Sequence, residues 1–160
     1  MSDLKYCTRD CCKYEVISYK KNSFTPKSSI KAGVFIFDDK QKKILLVQSR
    51  GNLWGSPKGS KEANENILQC ALREVKEETG LELTENMIND NHKFIYNNSH
   101  YYYLTMAELP VTINTPMIGN DATGIGWFNI NCLINLINTG EFKINYHCKL
   151  LIEYFLKIRL

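Results

Sequence analysis

With 160 residues, the chain fits one domain, long enough to bury roughly 68–70% of its unfolded surface. A hydrophobic share of 44% against 23% charged residues excludes an intrinsically disordered chain, and a net charge of +3 tolerates a polyanionic substrate without announcing nucleic-acid binding. The N-terminal MSDLKYCTRD lacks the apolar core of a signal peptide, and no apolar run reaches the roughly 18 residues that span a bilayer, so the expectation is a cytoplasmic or nuclear protein in a reducing compartment, with no membrane association.

Residues 1–30 are polar and Lys-rich, with one strand-like run, YEVISY, at 14–19; they read as an N-terminal extension to a domain at 31–160. AGVFIFD (32–38) and KILLVQS (43–49) predict two strands joined by the turn-like DDKQKK. GNLWGSPKGS (51–60) has four glycines or prolines in ten residues and reads as a loop with specific backbone needs. A helix is expected over about 62–79, stopped by Gly80. HKFIY (92–96) and HYYYLTMAEL (100–109) flank the turn residues Asn97, Asn98 and Ser99 and predict a second hairpin. A polar loop from Pro110 to Thr123 precedes GIGWFNI (124–130), a last strand, and NCLINLIN and NYHCKLLIEYFLKIRL then show helical periodicity. This order implies an α/β fold, with helices packed on either side of a mixed sheet.

The helix over 62–79 carries an apolar stripe, Ile67, Leu68, Ala71, Leu72 and Val75. On its other flank Glu74, Glu77 and Glu78 crowd one turn, where like charges repel by roughly 0.2–0.5 kcal/mol per pair. A solvated acidic face is one explanation; a bound divalent cation is the other. Mg²⁺ takes oxygen ligands, commonly one or two carboxylates with waters and substrate phosphates, and such a turn offers an open acidic site of that kind.

Gly59, Glu65, Arg73, Glu74, Glu77, Glu78 and Gly80 stand at the spacing G-x5-E-x7-R-E-V-x-E-E-x-G-L, with Val75 and Leu81 in the aliphatic positions. This pattern resembles the Nudix hydrolase signature at every defining position, and the order of elements from residue 32 to roughly 155 resembles the Nudix α/β/α sandwich. The resemblance implies a pyrophosphohydrolase that uses Mg²⁺ or Mn²⁺ to cleave a diphosphate linked to another group. It implies that Glu74 and Glu78 are direct metal ligands. Glu77 would be a ligand or hold metal-bound water, and the Gly59 carbonyl would be a further ligand. Glu65 and Arg73 would orient the helix and its carboxylates. In many relatives a glutamate six residues ahead of a Trp takes the proton from the attacking water; the matching position here is Asp121, ahead of Trp127. Asp is shorter by a methylene, which leaves Glu77 and Glu78 as the other candidates for that base.

The loop LWGSPKG resembles the W-x-x-P-K-G lead-in of mRNA-decapping Nudix enzymes. Similar P-K-G segments occur in relatives that cleave dinucleoside polyphosphates or diphosphoinositol polyphosphates. The resemblance makes Lys58 a point charge for phosphate oxygens, and makes a nucleotide-type polyphosphate, with capped RNA foremost, the expected substrate. Trp54 either packs under the loop or stacks a nucleobase. Tyr101, Tyr102 and Tyr103 alternate across a strand, so Tyr102 is a candidate for stacking a base or a plain packing residue. Lys143, Lys149, Lys157 and Arg159 offer charge for an RNA backbone or for solubility. About 30 residues ahead of the domain are too few for the helical regulatory domain of cellular decapping enzymes. A stand-alone, virus-type version with no obligate protein partner is expected. An alternative of another class, a non-catalytic nucleotide-binding Nudix module, conflicts with the complete set of box glutamates.

Six cysteines in a reducing compartment are expected as thiols. Cys7, Cys11 and Cys12, with His147 and Cys148, supply enough donors for a zinc site, although C-x3-C-C is not the usual ligand spacing. Cys70, next to the apolar stripe, reads as a small buried hydrophobe.

Overall fold

Alternation along two strands sets the layers. In β3 (Lys31–Asp38) Ala32, Val34 and Ile36 point to one face and Phe35 and Phe37 to the other; in β4 (Lys43–Ser49) Leu45 and Val47 answer Ile44 and Leu46 in the same way. All of these are buried, so both strands are central and the sheet is covered on both sides. The computed structural model describes residues 2–7, 11–17, 30–49, 52–89, 91–111 and 122–160. Between β4 and the first helix lie the short strands β5 (Leu53–Gly55) and β6 (Lys58–Ser60). Then follow α1 (Ile67–Thr79), a 3₁₀ turn at Glu85–Met87, β7 (Lys93–Tyr96), β8 (Ser99–Thr105), β9 (Ala122–Asn129), α2 (Ile130–Asn138), β10 (Lys143–Ile144) and α3 (Tyr146–Leu156). Ahead of them stand β1 (Ser2–Tyr6) and β2 (Lys13–Ile17); β1 is a strand that the sequence pattern does not announce.

The main sheet runs β1-β2-β9-β4-β3-β8-β7. β8 lies parallel to β3, in register from Lys31 opposite Ser99 to Phe37 opposite Thr105, and the other neighbours on this path are antiparallel. α1 packs its Cys70, Ala71 and Val75 on the face of Val34, Leu45, Ile125 and Trp127. α2 and α3 cover the other face with Leu133, Leu136, Leu151 and Ile152 against Phe35, Leu46 and Phe128. This is the α/β/α sandwich with a mixed sheet that the order of elements implies. Among the described residues no helix is long and apolar enough to cross a membrane.

One departure from a flat sheet positions the site. β3 and β4 pair at their hairpin end, Phe37 with Ile44 and Asp38 with Lys43. Towards residue 31 they part, and the LWGSPKGS segment fills the split: β5 pairs with β4 and β6 with β3. The expected loop is thus two short strands wedged into the sheet. β10 adds to β5 in parallel, and the Asn145 N–H donates to the Trp54 carbonyl at 2.9 Å, which ties the start of α3 to the wedge.

Candidate active site

α1 begins later than its periodicity suggests. Asn66 caps it: its side chain accepts the Gln69 N–H at 2.8 Å while the Gln69 side chain accepts the Asn66 N–H at 2.9 Å. Residues 62–65 therefore form a loop, and this loop returns Glu65 to the helix. At the other end Gly80 takes φ 79°, its N–H bonds the Lys76 carbonyl, and the helix stops just past Thr79.

Arg73 is the hub of the acidic turn. Its Nε and Nη2 donate to the two oxygens of Glu65 at 2.9 and 2.7 Å, a bidentate pair. Nη1 reaches Glu74 at 3.0 Å and Glu77 at 3.1 Å, and Nη2 also donates to the Ser60 carbonyl at 3.0 Å, joining α1 to β6. The guanidinium holds the Glu65 carboxyl down at about 2, and the same carboxylates raise the Arg73 pKa. Glu74 and Glu78 are buried although they are acidic, and Glu77 is half-buried. Glu78 accepts the Lys58 backbone N–H at 3.3 Å.

Gly59 completes the arrangement. A Cβ at this position would fall on the Glu74 carboxyl group, so only glycine lets β6 approach the helix. The Cys70 S–H points at the Gly59 carbonyl at 3.6 Å, and burial pushes that thiol up to about 12, so it stays neutral. Glu74 and Glu77 share Arg73 Nη1, Glu78 meets the Lys58 backbone N–H, and Gly59 lies against Glu74, so three carboxylates stand where β6 meets α1. Carboxylate oxygens suit a hard divalent cation, and the Arg73 guanidinium bridges Glu74 and Glu77.

Lys58 contributes its backbone N–H to this centre, and its ammonium stands beside the start of α3. The ammonium lies 3.4 Å from His147 Nδ1 and 5.8 Å from the centre of the Tyr101 ring. The Tyr101 hydroxyl lies 2.6 Å from the same nitrogen. Burial, with Lys58 and Lys31 nearby, lowers His147 to about 4, so the ring is neutral; because an ammonium only donates, Nδ1 accepts and the ring proton sits on Nε2. Burial also raises the Tyr101 pKa. No local sequence signal joins these three residues, since His147 stands 89 positions from Lys58 and 46 from Tyr101.

Two other expected site residues are buried. Trp54 is 3% exposed and packs edge-on against Tyr14 and Phe128 beneath the wedge. Tyr102 is 4% exposed and faces the core under α1. Both rings are thus buried among core side chains. Asp121 lies outside the described residues. His147 and Cys148 do not join Cys7, Cys11 and Cys12: His147 is held by Tyr101, and Cys148 is fully buried in the core. A cavity of about 340 Å³ sits at the β2–β9 edge on the α1 side, lined by Lys13, Glu15, Leu109, Ile125 and Trp127 among others; none of the three box glutamates lines it.

Comparison with known proteins gives this geometry a family. The NUDIX domain model matches residues 27–148. The 111R protein of Invertebrate iridescent virus 3 is 36% identical over 143 residues, 84% of this chain and 82% of that one. The m7GpppN-mRNA hydrolase of Saccharomyces cerevisiae is 34% identical over 116 residues, 69% of this chain but 12% of the yeast protein. The NUDIX domain of Shewanella oneidensis NrtR, solved with ADP ribose, aligns with a TM-score of 0.61 and 20% identity over 88% of this chain and 93% of that one, a likeness of fold. The chain belongs to the Nudix family and is a Nudix hydrolase, of a family that works with divalent metal.

Proposed function

We propose that this pyrophosphohydrolase acts on the 5′ cap of mRNA and releases m7GDP. The observation that carries this reading is the likeness to the yeast m7GpppN-mRNA hydrolase, which runs through more than two thirds of this chain. The W-x-x-P-K-G segment, wedged between β3 and β4 so that Lys58 and Gly59 meet the glutamates, supports it. In this reading Glu74, Glu78 and the Gly59 carbonyl hold Mg²⁺ or Mn²⁺, with Glu77 as a further ligand or a holder of water. The bound cation would neutralise the polyphosphate charge and lower the pKa of the attacking water. Arg73, locked by Glu65, keeps the Glu74 and Glu77 carboxylates aimed. Asp121, Glu77 or Glu78 removes the proton of that water. Lys143, Lys157 and Arg159, all exposed, offer contacts for the RNA backbone, and the enzyme works in the cytoplasm, where capped mRNA is available.

The test sets three substrates side by side with Mn²⁺: cap-labelled RNA, diadenosine tetraphosphate and a diphosphoinositol polyphosphate. Release of m7GDP from long RNA with little turnover of the small substrates is expected. Efficient cleavage of a small substrate with idle RNA would sink the decapping reading and leave a metabolite or signalling hydrolase. Glu78→Gln should cut turnover roughly 10²–10⁴-fold while circular dichroism stays native. A variant that keeps its rate would remove Glu78 from the chemistry.

A further inference from the structure

Far from the glutamates, four cysteine sulfurs meet at the edge of the sheet. Cys7 follows β1, Cys11 and Cys12 precede β2, and Cys132 lies in the first turn of α2; their sulfurs all lie within 4.8 Å of one another. Cys7 and Cys11 are 3.5 Å apart and Cys11 and Cys12 4.0 Å. A zinc–thiolate bond of about 2.3 Å in a tetrahedron puts neighbouring sulfurs about 3.8 Å apart, while a disulfide needs about 2.05 Å. The cluster therefore has the spacing of four ligands around one ion. From the geometry we infer that Cys7, Cys11, Cys12 and Cys132 bind a structural zinc ion.

Three features of the surroundings fit a thiolate centre. The Asn129 side chain accepts the Cys132 N–H at 3.1 Å, which fixes the turn that carries the Cys132 sulfur. Cys132 sits at the positive end of α2, which favours negative charge on sulfur. Cys7, Cys12 and Cys132 are buried, so the ion would be closed to water, as structural zinc sites are. The Cys7 N–H already bonds the Cys12 carbonyl at 3.2 Å, which holds these two cysteines side by side. The fourth sulfur, that of Cys132, comes from 120 positions further on, which C-x3-C-C alone could not disclose. An ion here would staple the β1–β2 hairpin to α2, and so hold β2 against β9.

The whole chain, produced with zinc and purified under reducing conditions without chelator, is assayed by mercurial release of metal into a colorimetric zinc dye. About one zinc per chain is expected for the parent protein, for Glu78→Gln and for Cys148→Ala, falling towards zero in Cys132→Ser and Cys7→Ser. Since a cysteine variant can lose metal by misfolding, the parent protein is also loaded with Co²⁺. Thiolate charge-transfer bands and the intense visible bands of a tetrahedral site are expected. Loss of zinc in Glu78→Gln but not Cys132→Ser would overturn the inference. So would a metal-free parent protein without cobalt bands, or a disulfide among these cysteines found by mass spectrometry.

Discussion

The Arg73 guanidinium grips Glu65 with two parallel hydrogen bonds, and so spends one edge on a residue outside the helix before its remaining donors reach Glu74 and Glu77. We propose that Glu65 sets the direction of Arg73 and that Arg73 aims the carboxylates. Arg73→Lys removes the planar fork and leaves a single ammonium unable to serve Glu65 and the helix together. The expected result is a fall in kcat of roughly 10–100-fold with circular dichroism near native, and a weaker apparent affinity for Mn²⁺ in a metal titration. An unchanged metal titration would mean that Arg73 does no aiming.

Gly59→Ala places a methyl group on the Glu74 carboxyl. Either β6 or the carboxylate must move, at a cost of about 1–3 kcal/mol. Turnover should fall together with Tm, which distinguishes this variant from Glu78→Gln, where turnover alone falls. Thermal denaturation read beside initial rates checks the difference.

Trp54 is buried, and we predict that it serves stability rather than recognition. Its ring contacts Tyr14, Phe128 and Phe142, so Trp54→Ala should cost about 3–5 kcal/mol in urea denaturation. The protein that remains folded should keep the parent KM. A raised KM with little loss of stability would return Trp54 to the substrate site.

His147 makes stability depend on pH. The unfolded chain takes up this proton near pH 6.5, and the folded chain only at about 4, so stability is full above about 6.5 and is lost as the pH falls towards 4. His147→Asn removes that loss. Between about pH 7 and about pH 5 the parent should lose about 1–2 kcal/mol more than the variant, after allowing for solvent at this half-buried ring. Parallel denaturation curves at the two pH values would discard the point.

The sequence by itself determined what rests on short separations. Glu74, Glu77 and Glu78 fall on one turn because helical geometry puts residues three and four apart side by side. The β3–β4 and β7–β8 hairpins follow from alternation and turn chemistry, and both are present as antiparallel pairs. Gly80 ends α1 as its place in the chain implies, whereas the start moved to Ile67 because an Asn-x-x-Gln capping box outweighs a longer apolar period.

Tertiary structure decided the rest, since pairings across dozens of residues leave no local trace. The parting of β3 and β4 makes room for the wedge that turns Trp54 inward and sends the Lys58 ammonium to His147 and Tyr101. Tyr102 is taken up by the α1 face of the core because a central strand parallel to β3 is covered on both sides. Cys132 meets Cys7, Cys11 and Cys12 only because β2 pairs with β9, which brings the N-terminal hairpin alongside the start of α2. Local chemistry wrote the acidic turn; packing chose which groups stand around it.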